Sequence, residues 1–163
     1  MKRYAEESNY FDTIVSPAKS QGEIVELLEA FGAESIMVVQ GQSQGRYAWL
    51  VRFQWRGSSY RFAFTPLNCL NPEKERNFGG KRRIFAEQAR WQMGRIAVWF
   101  VKAILTAAEA MPEALFGFME LPGTNSRGGL PFTAAEVDVS ELISHVPLMP
   151  QVSLLMEGEI VEE

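Results

Sequence analysis

Residues 46–65, RYAWLVRFQWRGSSYRFAFT, constrain the fold more than any other stretch of the chain. Through Arg46–Arg56 the side chains alternate with period two, the signature of a strand. Tyr47, Trp49, Val51, Phe53 and Trp55 fall on one face, and Arg46, Ala48, Leu50, Arg52, Gln54 and Arg56 on the other. Gly57-Ser58-Ser59 reads as a hairpin turn. The alternation then resumes, with Tyr60, Phe62 and Phe64 on one side and Arg61 on the other, until Pro66 ends it. Upstream, the β-branched run Ser35–Gln40 and the glycine-bounded turn Gly41–Gly45 supply a third strand. The pattern predicts an antiparallel meander with one aromatic and one arginine-bearing face.

Helical signals flank this meander. Ser20-Gln21-Gly22-Glu23 has the form of a capping box. Ile24, Leu27, Leu28 and Phe31 follow at helical spacing and Gly32 stands at the stop, which predicts a helix over about 21–31. Phe11–Ala18 reads as a short extended segment ending near Pro17, and residues 67–80 as a polar loop. Lys81–Met111 is free of proline and carries Phe85, Ala89, Met93, Ile96, Phe100, Ile104 and Ala107 at spacings of three and four, a core stripe. Gly94 within it marks a kink or a close packing contact. Pro112 breaks the run, Glu113–Glu120 is a short helix or turn, residues 123–131 a glycine-rich loop, and Glu136–Val146 a short helix or strand before an acidic ending. The expected fold is α+β: a helix, a three-stranded antiparallel meander, a long helix packed on the sheet and an irregular C-terminal extension. It forms one domain over residues 1–163, with its core at about 11–122 and the extension at 123–163.

Composition narrows the classes of function. With 163 residues, 47% of them hydrophobic, the chain can build its own core. One cysteine, Cys69, excludes an intrachain disulfide, and with a single histidine, His145, it argues against a Cys/His zinc site. The first residues, MKRYAEESNYFD, lack a signal peptide's apolar run. The longest apolar stretch, Ile96–Ala108, is interrupted by Lys102 and too short to span a bilayer. These features predict an intracellular, cytoplasmic protein with no membrane segment, no metal and no cofactor. No catalytic set stands out: His145 lies away from any nucleophile, and Cys69 has no sequence neighbour that would activate it.

Charge is the strongest functional signal. Residues 46–102 hold twelve Lys/Arg against three Glu, a balance of +9, while the rest of the chain stands at −13. Arg46, Arg52, Arg56 and Arg61, on one face of the predicted sheet with no acid alternating among them, form a candidate surface for phosphates. The simpler alternative is the wet face of an ordinary antiparallel sheet. Lys81, Arg82 and Arg83, placed after Gly79-Gly80 at the predicted start of the long helix, form a second candidate, since free helix N–H groups attract anions. Its alternative is a solvated turn paired with Glu73, Glu75 or Glu87. Trp91, Arg95 and Trp99, four residues apart, suggest a cation–π stack on a helix that also packs against the tail or a second copy.

The order helix, three strands, basic-started helix resembles the double-stranded-RNA-binding domain over about residues 20–100. A closer likeness rests on Ser20-x-x-Glu23-Ile24 with Leu28 and Gly32-Ala33, then Tyr60-Arg61-Phe62 running into Pro66. It continues with Arg95, Lys102-Ala103-x-Leu105, Glu109-Ala110 and Phe118-Met119-x-Leu121-Pro122-Gly123. In that order and spacing, these residues resemble a family of bacteriophage and mobile-element proteins of unassigned function. A longer 67–80 loop and a different tail depart from the pattern. The resemblance implies an intracellular protein acting in a host cell, in phage nucleic-acid metabolism or in counter-defence. Two readings follow. One is a non-enzymatic binder of nucleic acid or of a phosphate-bearing ligand, using the basic sheet face. The other is an inhibitor that docks on a host protein or sequesters a nucleotide. Independently of either, the apolar residues on more than one face of the long helix predict a homodimer through it.

Overall fold

The computed structural model describes residues 3–124 and 129–137; His145, the acidic ending and most of the expected Glu136–Val146 element lie outside them. The fold is α+β, with a three-stranded meander, a long helix packed on it, a shorter helix and a second, two-stranded sheet.

Helix α1 spans Pro17–Phe31, four residues longer at its start than the capping box suggests. Ser16 is the N-cap, its Oγ accepting from the Lys19 N–H at 3.2 Å, and Pro17 occupies the first turn, where its missing N–H costs nothing. Proline therefore opens this helix instead of closing an extended segment. Ser20 lies inside the helix, fully buried, and Glu23 serves an ion pair with Arg95 at 2.8 Å instead of a cap. Gly32 ends the helix in the left-handed conformation (φ 88°), as its position predicts.

The meander is β1 (Glu34–Ser43), β2 (Arg46–Trp55) and β3 (Ser58–Phe64), in that spatial order. Both hairpins turn on two residues with positive φ, Gln44-Gly45 and Arg56-Gly57, the geometry that matches strand twist. Arg56 is thus a turn residue and leaves the sheet face, its guanidinium lying 4.4 Å above the Trp55 ring. The alternation is otherwise realised. Trp49, Val51, Phe53 and Phe62 are buried to the last few per cent against Ile24 and Leu28 of α1 and against the long helix.

Residues 75–84 depart from the sequence reading. They form a hairpin, β4 (Glu75–Phe78) and β5 (Lys81–Ile84), turning on Gly79-Gly80 with φ of 59° and 88°. The Asn77 carboxamide oxygen accepts the Gly80 N–H at 2.8 Å, and the turn presses on Ile14 so closely that a Cβ at Gly79 would lie 2.4 Å from its Cγ2. Helix α2 therefore begins at Phe85, not Lys81, and runs to Ala110. Of the expected stripe, Phe85, Ala89 and Met93 are buried, but Ile96, Phe100, Ile104 and Ala107 are only partly so; beyond Gly94 the buried seam runs through Ala97, Val98, Val101, Leu105 and Ala108, because α2 is covered by the meander on one flank and α1 on another. Gly94 proves to be a packing contact: a Cβ there would meet Ser20 and the Trp49 ring at 3.1 Å.

The N-terminal residues pack on the first half of α2, where Ala5, Phe11, Phe78, Phe85 and Ala89 form a second, smaller core. Two buried glutamines hold them. Gln88 donates to the carbonyls of Phe11 and Thr13 at 2.6 and 2.9 Å, and Gln92 to those of Ala5, Ser8 and Asn9 at 2.8–3.2 Å. After a 3₁₀ helix, Pro112–Phe118, the chain returns along the free edge of β3, with the Glu120 N–H bonded to the Ser59 carbonyl at 2.8 Å. No helix of the described residues is long and apolar enough to cross a membrane.

Candidate anion-binding site

The arginines that the sequence places on one surface have separate environments. Arg52 and Arg61 lie directly opposite each other on β2 and β3, so their like charges need a counterion. Glu120 supplies it. The Met119–Tyr60 bridge and the bond from the Glu120 N–H to Ser59 set its carboxylate against the sheet, where it accepts from Arg52 Nε and Nη2 at 2.7–3.1 Å and lies 3.8 Å from Arg61. Glu136 takes the other side of Arg61 at 2.7 Å. Burial pushes the Glu136 carboxyl up, but the Thr133 N–H and the Arg61 guanidinium outweigh it and hold the group below the usual carboxylate range. The chain's own acids thus neutralise the centre of the expected basic face.

Lys81, Arg82 and Arg83 do not meet the helix start as one cluster, because strand geometry sends alternate side chains to opposite faces. Arg83 is buried, stacked 3.7 Å from the Trp91 ring, with its Nε donating to Gln88 at 2.8 Å. Arg82 is exposed and pairs with Glu75 at 3.1 Å, and Lys81 is exposed. The predicted Trp91–Arg95–Trp99 stack is replaced as well. Arg83 takes Trp91, Glu23 takes Arg95, and Lys102 lies over Trp99 at 5.4 Å.

Two of the predicted residues open on clefts: Arg56 on one of about 260 Å³ that also holds Glu113, and Arg46 on one that it shares with Arg90, which the sequence reading did not select. The cleft, of about 220 Å³, lies between the start of β2, the loop after β3 and the first half of α2; Arg46, Tyr47, Asn68, Cys69 and Arg90 line it, and no carboxylate does. Arg46 Nη2 donates to the Pro66 carbonyl at 2.8 Å and to Asn68 Oδ1 at 3.0 Å, and among the described residues its Nε–H and both Nη1–H have no acceptor. Arg90 stacks 4.5 Å above the Tyr47 ring. That ring is fixed at its far end: the Tyr47 hydroxyl accepts from Trp49 Nε1 at 2.8 Å and donates to Gln40 at 3.2 Å. The fully buried Trp49 thereby orients Tyr47, and Tyr47 orients Arg90. Neither arginine has a carboxylate partner among the described residues.

The wall formed by the loop is tied down from behind. The Glu6 carboxylate accepts the N–H groups of Leu70 and Asn71 at 3.1 and 3.0 Å, and the Ala5 N–H bonds to the Asn68 carbonyl at 2.8 Å. Burial opposes ionisation of Glu6, but these N–H groups and Lys74 prevail and lower its pKa. Cys69 donates to the Phe85 carbonyl at 3.4 Å; burial and the charge of Glu6 push its thiol up, so it stays protonated at neutral pH. Two fixed guanidinium groups, an amide and an aromatic ring can hold an anion in this cleft, and nothing in it is set up as a nucleophile or base. Among the described residues no group of three His, Cys, Asp or Glu side chains is placed to hold a metal ion. No family model, curated protein or solved structure matches this chain.

Proposed function

We propose that the protein is a non-enzymatic binder of phosphate-bearing ligands, nucleic acid foremost, and that the Arg46–Arg90 cleft receives the phosphate. The observation that carries this reading is the presence of two arginines, free of carboxylate partners among the described residues, on one acid-free cleft. Guanidinium groups suit phosphate oxygens because their planar N–H donors match them in pairs. At about 220 Å³ the cleft is smaller than pockets for drug-sized ligands, about 300–1,000 Å³, and suits a single phosphate group of a larger molecule. The sequence pattern that resembles phage and mobile-element proteins supports a role in a host cell. The test is fluorescence anisotropy of labelled single- and double-stranded oligonucleotides at low salt. Binding that Arg90→Ala and Arg46→Ala each weaken supports the reading; no binding, or binding indifferent to both, refutes it.

A second reading, an inhibitor that docks on a host protein, is favoured by one feature of α2. Trp99 is 48% exposed, stacks with Tyr10 at 6.3 Å and borders a groove of about 310 Å³ between α1 and α2. A stoichiometric host protein recovered with wild type and lost with Trp99→Ala would favour it, and the same surface is where a dimer through the long helix would form.

A further inference from the structure

We infer that two copies of the chain pair edge to edge through β1, making one continuous six-stranded sheet. The two edges of the meander differ. The β3 edge is met by Met119, which bridges to Tyr60, and by the Glu120 N–H on the Ser59 carbonyl, whereas the outer side of β1 makes no backbone hydrogen bond to any other described element. An unpaired edge is normally blunted by lysine, proline, shortness or a bulge. β1 is ten residues long, has neither lysine nor proline, and carries one charge, Glu34, at its end. Its irregularity lies between Glu34 and Met37, leaving 37–43 in regular register. On the same strand Met37 and Val39 stand 41% and 44% exposed, on the sheet face away from α2.

A second copy fits this edge through its own symmetry. A two-fold axis normal to the sheet keeps inner side chains with inner and outer with outer only when the register is centred on a residue, because faces alternate along a strand. Centred on Val39, the pairing sets Val39 against Val39, Met37 against Gly41 and Val38 against Gln40, and stays clear of the irregular turn of strand at Glu34–Met37. Glu34 falls outside the paired stretch, so no like charges meet. With a rise of about 3.4 Å per residue and strands about 4.8 Å apart, the two Arg46 side chains then root about 30 Å apart, near the roughly 34 Å repeat of duplex DNA. That consequence rests on the function proposed above; the pairing itself does not.

Sedimentation of the full chain over a roughly hundredfold concentration range tests the pairing. The expected result is a species of twice 18.4 kDa that dissociates on dilution. Val39→Lys would oppose two like charges and sediment at 18.4 kDa throughout with an unchanged circular-dichroism spectrum, while Val39→Thr would remain dimeric. In a Cys69→Ser background, Val39→Cys would form an intermolecular disulfide on mild oxidation. A monomer at every concentration overturns the inference, including one whose β1 edge is covered by residues 138–163 of its own chain. So does a dimer that survives Val39→Lys, which would point to the Trp99 surface instead.

Discussion

Glu120→Gln removes the one charge that separates Arg52 from Arg61. Breaking a buried ion pair by deleting one partner costs about 3–5 kcal/mol, because the other charge is stranded. The Glu120 side chain is 2% exposed, but that of Arg52 is 34% exposed and partly screened by water, so the full penalty does not apply. Glutamine also keeps one acceptor for Arg52. Against that, two directly opposed arginines are left to repel each other, relieved among the described residues by Glu136. The balance is a loss of about 2–3 kcal/mol. In urea, where unfolding slopes are about 1–3 kcal/mol per molar, this lowers the midpoint by about 1 M or more, readable in tryptophan fluorescence because Trp49 is fully buried. A double variant, Glu120→Gln with Arg52→Gln, should recover part of the loss. A loss under about 0.5 kcal/mol would show that the cluster is solvated and would refute the claim that it neutralises the sheet face.

Three further outcomes follow from the packing and the titrating groups. Gly94→Ala puts a methyl group 3.1 Å from Ser20 and the Trp49 ring and should cost about 1–3 kcal/mol by overpacking, measured as a lower thermal midpoint. Gln92→Leu strands the carbonyls of Ser8 and Asn9 and leaves that of Ala5 only the Ser8 N–H, so the N-terminal segment should become sensitive to limited proteolysis before the meander does. Glu6 and Glu136 both have pKa values lowered from 4.5, so their stabilisation is complete above the ordinary carboxylate range and is lost as pH falls through their folded values. Stability should therefore decline below about pH 4.5, and less steeply in Glu136→Gln, as urea midpoints across that range would show.

Strict alternation in the strands was sufficient, whereas the helical stripe of α2 located the core-facing side only in its first half. The alternation at 46–65 placed Trp49, Val51, Phe53 and Phe62 in the core, and Gly32 marked the end of α1. Local signals that compete misled. Ser20-x-x-Glu23 has the form of a cap, but Ser16-Pro17 starts the helix earlier and converts Ser20 into a packing residue under Gly94. The run Lys81–Arg83 joins the helical pattern of α2 without a break in sequence, yet Gly79-Gly80 is a two-residue hairpin turn that makes it a strand. The candidate site was the least legible part. Arg46 was visible, but Arg90 sits within a largely apolar helix. Its significance depends on the 66–72 loop closing beside it and on Tyr47 lying beneath it, which are tertiary facts. Likewise Glu120, 68 residues from Arg52, carries no sign in the sequence that it will neutralise the arginine face.

The most direct test of the account is the salt dependence of duplex-DNA binding, compared among the wild type, Arg46→Ala, Arg90→Ala and Arg52→Ala. Each phosphate contact contributes about 0.9 to the slope of log affinity against log salt. Removing Arg46 or Arg90 should weaken binding to all sequences and lower that slope by about one, whereas removing Arg52, already held by Glu120, should leave the slope unchanged. A slope indifferent to Arg46 and Arg90, or one lowered by Arg52→Ala alone, would contradict the cleft as the site of phosphate binding.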